Sequence, residues 1–133
     1  MIVADASAIV SALLNAGAAR DLLGRERIQV PHLVDTEVAS ALRRTVSAGT
    51  VTADEGWAAL DTWRRLGVTR HPASGLLDRV WQLRDNLTAY DATYVALAEA
   101  LDCTVVTADG WLARAPGIRC AVTVVPRRPL TPR

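Results

Sequence analysis

Short apolar runs bounded by turn residues alternate with segments of helical period along this chain, and that alternation limits its folds more than any other feature. Strands joined through helical crossovers lie parallel, so the pattern predicts an α/β domain around a parallel sheet. The expected strands are Ile2–Ala4, Ile28–Val30, Val68–Arg70, Thr104–Thr107 and Val122–Val125. The expected helices are Ala6–Leu14, Ala18–Leu23, Leu33–Ala48, Ala53–Leu66, Gly75–Arg84, Ala89–Leu101 and Trp111–Arg114. Thr52 with Glu55 and Thr88 with Asp91 have the spacing of capping boxes, and Ser74 is placed to cap the helix after Pro72. A chain near 133 residues buries about 68–70% of its unfolded surface, enough for one core without metal or disulfide staples. No repeat or linker divides it, so residues 1–126 read as a single domain. Residues 127–133, with Arg127, Arg128 and Arg133 among prolines, read as a basic tail.

Several chemistries are excluded by what is missing. All 15 basic residues are Arg, which removes a P-loop lysine, a Schiff base and a lysine-dependent phosphoaspartate receiver. No Gly-x-Gly pair and no Gly-x-Ser-x-Gly occurs, so a dinucleotide loop and a nucleophile elbow are both absent. His32 and His71 stand alone, which disfavours zinc and His-based triads. Cys103 and Cys120 fit no metal or redox spacing and read as small buried hydrophobes. The longest uncharged stretch, Ala6 to Ala19, is too short to span a bilayer, and Asp5 stands where a secretory signal would be basic. A cytoplasmic protein with no membrane partner is expected.

The informative residues are acids. Asp5 follows the first strand and Asp109 the fourth. Ligands of open parallel sheets bind beyond the carboxyl ends of the strands, so both carboxylates reach one crevice if those strands are neighbours. Each also suits a helix N-cap, and taken singly capping is the more ordinary role. Asp91 lies on the apolar stripe of its helix, with Leu87, Tyr94, Val95 and Ala98 close by in angle and Tyr90, Leu97 and Leu101 extending it. A carboxylate there must be protonated, hydrogen-bonded or bound to a cation, although a capping box with Thr88 would also account for it. Glu37 stands at the edge of the stripe Val34, Val38, Ala41, Leu42 and Val46, with Arg44 nearly in line. A solvated first-turn acid is the plain alternative there.

Two carboxylates about 5 Å apart at an effective dielectric near 20 repel by roughly 3 kcal/mol, so gathering four is sensible mainly around divalent cations. An all-oxygen set selects a hard ion, Mg²⁺ with Mn²⁺ as substitute. Such ions serve phosphodiester hydrolysis by water, which needs no side-chain nucleophile.

Four stretches carry a family resemblance: MIVADASAIVSALL at Met1–Leu14, PHLVDTEVASALRR at Pro31–Arg44, NLTAYDATYVALAE at Asn86–Glu99 and TVVTADGWL at Thr104–Leu112. In this order they resemble the PIN-domain ribonucleases, and among them the VapC-type toxins of VapBC toxin–antitoxin pairs. The resemblance implies a PIN-like three-layer α/β/α sandwich on a mostly parallel sheet of about five strands. It implies an acidic site of Asp5, Glu37, Asp91 and Asp109, supported by the hydroxyls of Ser7 and Thr107. It further implies Mg²⁺-dependent cleavage of single-stranded regions in structured RNA of the tRNA or rRNA class, homodimerisation, and neutralisation by a VapB-type antitoxin. Where some relatives carry a further acid after the last Asp, this chain has Gly110, Trp111 and Leu112, which leaves one metal or two open.

Arg43, Arg44, Arg84, Arg127 and Arg128 are candidate phosphate contacts, Arg44 the best placed, against the ordinary reading of solvated arginines. Trp57, Leu60 and Trp63 make an apolar stripe that reads first as core and second as a partner groove. The competing functional class is a catalytically silent PIN-like interaction or regulatory domain.

Overall fold

The computed structural model describes residues 1–126; the basic tail, with Arg127 and Arg128, lies outside them. Five strands form one sheet: β1 (Ile2–Ala4), β2 (Ile28–Pro31), β3 (Thr69–His71), β4 (Thr104–Thr107) and β5 (Val122–Val124). Their order is β3-β2-β1-β4-β5, and every pairing is parallel. The chain starts in the middle, winds to one edge through β2 and β3, then re-enters beside β1 as β4. This reversal between β1 and β4 opens a crevice at their carboxyl ends. β1 and β4 are neighbours, with Ala4 opposite Val106, so the acids that follow them can share that crevice.

The helices are α1 (Ala6–Leu14), α2 (Ala18–Gly24), α3 (Val34–Ser47), α4 (Ala53–Arg65), α5 (Leu77–Gln82), α6 (Ala89–Leu101) and α7 (Gly110–Arg114). Helices α1 to α4 pack on one another, α5 packs on α6, and α6 lies across β1, β2 and β4. Burial of Ala92 through Ala98 without a break makes α6 a core helix, which its run of small and apolar residues permits. Helices α3 and α4 approach closely at Gly56, where a Cβ would come within 2.7 Å of Val46 Cγ2. The Thr52–Glu55 capping box forms and starts α4.

Four local expectations change. The helix expected over Gly75–Arg84 is a 3-10 turn, Ser74–Leu76, followed by the short α5, and Ser74 makes no cap bond. Thr88 accepts the Asp91 N–H, but the reciprocal bond from the Asp91 carboxylate to the Thr88 N–H is not formed, and Asp91 lines the crevice. The tryptophan stripe divides: Trp63 is buried and donates to Asp35 Oδ1 at 2.8 Å, whereas Trp57 is 57% exposed. Tyr90, expected on the apolar stripe of α6, is 62% exposed because the buried stretch begins after it. Cys103 and Cys120 are free thiols against the core, and burial pushes both up, Cys120 to about 11, so neither is a thiolate at neutral pH.

Candidate active site

Asp5 is the residue that leaves β1 and enters α1. Its Oδ1 accepts the Ala8 N–H at 3.0 Å, which caps α1, and the Ser7 hydroxyl at 2.6 Å. Its Oδ2 accepts the Thr107 hydroxyl at 2.5 Å. A hydroxyl has one hydrogen, so with both hydrogens given to Asp5, Ser7 and Thr107 are left as acceptors. Ser7 Oγ takes the Ala108 N–H at 2.9 Å and Thr107 Oγ1 the Asp109 N–H at 3.0 Å. The two hydroxyls thereby tie the first strand's acid to the loop carrying the fourth strand's acid. Asp109 caps α7 by accepting the Trp111 N–H at 2.9 Å. Capping and crevice placement are thus compatible, and both aspartates do both.

Asp91 and Tyr94 stand three residues apart on α6 and therefore share a face. The buried phenol of Tyr94 donates to Glu37 Oε1 at 2.5 Å, fixing the acid of α3 across from those of the sheet. The sequence places Tyr94 on the apolar stripe beside Asp91 and gives it no role in the site. The available signal was a tyrosine on a buried stripe, whose hydroxyl requires a partner.

Asp5, Glu37, Asp91 and Asp109 line one cleft of about 840 Å³, together with Ser7, Tyr90, Tyr94, Ser40 and Arg44. Thr107 lies fully buried beneath Asp5. Arg44 donates to Ser40 at 3.0 Å on the α3 wall. Arg43 and Arg84 do not line the cleft. Arg43 is about 100° further round α3, and Arg84 is held over the Trp81 ring at 4.7 Å while donating to the Trp81 carbonyl.

Burial holds Asp5 above the usual carboxylate range, against the Ser7, Thr107 and Ala8 hydrogen bonds, and the Asp109 charge adds to the rise. Burial likewise raises Glu37, with the Asp91 and Asp5 charges adding to it and Tyr94 and Arg44 opposing it. Asp91 is raised by burial and by the charges of Asp5 and Asp109, against a hydrogen bond with the Thr88 side chain. Asp35 behaves oppositely, because Arg70 binds both its oxygens at 2.8 and 2.9 Å and holds it down. Among the described residues the four cleft acids make no salt bridge. Nor, as placed, do any three His, Cys, Asp or Glu side chains there close on a point that could hold a metal ion. The cleft is a field of mutually repelling carboxylates, and their all-oxygen chemistry suits a hard divalent cation.

The family model described as the PIN domain matches residues 2–118, a span that includes all four acids. This chain belongs to the PIN-domain family. Ribonuclease VapC9 of Mycobacterium tuberculosis is 58% identical over 127 residues, covering 96% of this chain and all of that protein, so within the PIN family its relatives are VapC ribonucleases. Among solved structures, the PIN fold here resembles Mycobacterium tuberculosis VapC20, a sarcin–ricin-loop-cleaving toxin, with a TM-score of 0.66 and 20% identity over 90% of this chain and 97% of that one. It also resembles VapBC2 from Rickettsia felis bound to a DNA fragment from its promoter, with a TM-score of 0.68 and 16% identity over 94% and 99%. The three-layer α/β/α PIN architecture with a parallel central sheet is therefore the fold of this chain.

Proposed function

We propose that this PIN-domain protein is the toxin of a VapBC-type pair, a Mg²⁺-dependent endoribonuclease held in check by a VapB-type antitoxin. The observation that carries the reading is the convergence of four acids from β1, α3, α6 and the β4–α7 junction on one cleft, three of them held above the ordinary carboxylate range. Bound by Asp5, Glu37, Asp91 and Asp109, Mg²⁺ or Mn²⁺ would supply the Lewis acidity and activated water that phosphodiester hydrolysis needs. The chain's own contribution is order. Ser7 and Thr107 fix both oxygens of Asp5, Tyr94 fixes Glu37, and Arg44 offers a guanidinium to a phosphate at the cleft wall. On the resemblance to VapC ribonucleases, the proposed substrate is an unpaired segment of structured RNA, of the tRNA or rRNA class, in the cytoplasm. Kinship with VapC9 and likeness to the VapBC2 complex support an antitoxin partner, and a homodimer is the expected assembly. No helix among the described residues is long and apolar enough to cross a membrane.

Cleavage of a susceptible RNA should proceed in Mg²⁺ or Mn²⁺ and stop in EDTA. External water leaves a 5′-phosphate and a 3′-hydroxyl, so end-group analysis of the fragments checks the chemistry. Cleavage indifferent to chelation, or a 2′,3′-cyclic phosphate, contradicts the metal reading. RNA binding without metal-dependent cleavage would favour the catalytically silent alternative.

Arg44→Ala should weaken RNA binding with little effect on melting, since the side chain is exposed and off the buried stripe. Loss of one phosphate contact should make the slope of log affinity against log salt shallower by about 1. An unchanged affinity and slope would return Arg44 to the solvated surface.

A further inference from the structure

The cleft presents an electrostatic difficulty for its proposed substrate. Among the described residues four acids against one arginine line it, so even with one divalent cation bound the lining keeps a formal negative charge and does not by itself draw in the phosphates of an RNA strand. A contact that does not depend on charge adds affinity there beyond what the cation and Arg44 supply. Tyr90 offers one. It precedes Asp91 in the first turn of α6, lines the same cleft, and is 62% exposed. The buried run of α6 starts two residues later, and no hydrogen bond to the Tyr90 hydroxyl occurs among the described residues, so core packing does not explain this aromatic. Every nucleobase has a π-face that stacks on an aromatic ring, and an unpaired base is free to do so.

We propose that Tyr90 is the stacking platform for one unpaired nucleobase next to the scissile phosphate, making the cleft selective for single-stranded RNA. The inference rests on the ribonuclease reading and adds a base-binding subsite to it. Stacking on Tyr90 would hold the strand at the level of Asp91, with Arg44 on the α3 wall taking a neighbouring phosphate. Two contacts of different kinds then offset the repulsion of the acids. One is sensitive to salt and the other is not.

The test uses a stem–loop oligoribonucleotide spanning a cut site that the parent makes in total RNA, together with copies carrying one abasic nucleotide at each position flanking the cut. Tyr90→Ala should raise KM on the intact stem–loop by about 5- to 150-fold, the size of one base–aromatic stack, with a smaller change in kcat and an unchanged melting temperature. Tyr90→Phe should stay within about twofold of the parent, because the ring face is kept. The salt slope of binding in EDTA, read by fluorescence anisotropy, should match the parent's, unlike that of Arg44→Ala. One abasic position should impair the parent as much as Tyr90→Ala does, and the two changes together should cost no more than either alone. A Tyr90→Ala variant within twofold of the parent overturns the proposal. So does a loss of equal size on intact and every abasic substrate, as expected if the ring serves a protein partner or the scaffold. If the parent shows no metal-dependent cleavage, the ribonuclease reading fails first and the subsite with it. If the parent cleaves and Tyr90→Ala is silent, only the subsite fails.

Discussion

Asp5→Asn should lower the single-turnover rate of RNA cleavage by more than a hundredfold while leaving the protein folded. Replacing a group that merely orients a metal ligand costs about 10- to 100-fold, and Asp5 is proposed as a ligand itself. It is also the electrostatic hub of the cleft, since its charge bears on both Glu37 and Asp91 and Asp109 bears on it. Asn keeps an oxygen able to accept the Ala8 N–H, and Asn and Asp are equivalent as N-caps, so α1 keeps its start. The second oxygen becomes an NH₂ facing the Thr107 hydroxyl, which already accepts the Asp109 N–H. The amide therefore removes one unit of charge and disturbs the tie between β1 and the β4 loop, yet adds no bulk. Cleavage within tenfold of the parent, in a variant with a normal melt, would mean that Asp5 is a cap and nothing more.

The alternation of apolar runs and helical segments disclosed all five strands, most within a residue, because a buried parallel strand has few sequence disguises. β3 moved by one residue, a shift with small consequence at a sheet edge. Asp5 and Asp109 were legible as crevice residues because position relative to a strand end is a local property. Whether they meet depended on β1 and β4 being adjacent, which no local pattern states. Helix phase showed the inward side of Asp91. It failed for Tyr90, since phase describes angle but not where along the axis the core stops. The bond between Tyr94 and Glu37 joins residues on α6 and α3 and had no local signature. Ser7 and Thr107 entered through the resemblance alone, and the network now gives them a physical task around Asp5. The Ser74 cap failed because the 3-10 turn there makes no side-chain cap bond.

The largest expected change in stability belongs to Asp91 and its proposed ion. In EDTA its pKa in the folded protein is raised, chiefly by burial and then by Asp5 and Asp109. An acid with a raised folded pKa binds its proton more tightly when folded, so its stabilising contribution is complete below its unfolded pKa and is lost as pH rises through the folded value. Asp91→Asn removes that dependence, so at neutral pH without metal the variant should be as stable as the parent or more so. Toward pH 3 the difference should close. Thr88 still accepts the N–H of residue 91, so the cap of α6 is kept.

Added Mg²⁺ reverses the comparison. A ligand that binds only the folded state at about 100 times its dissociation constant contributes roughly 2.7 kcal/mol, a shift readily seen in a melt. The most direct measurement is therefore a pair of thermal melts, parent and Asp91→Asn, each in EDTA and in saturating Mg²⁺. The four-acid metal site predicts a rise of several degrees for the parent and most of that rise lost in the variant, which starts from equal or higher stability in EDTA. Equal Mg²⁺-induced rises in both proteins would contradict it and remove Asp91 from the site.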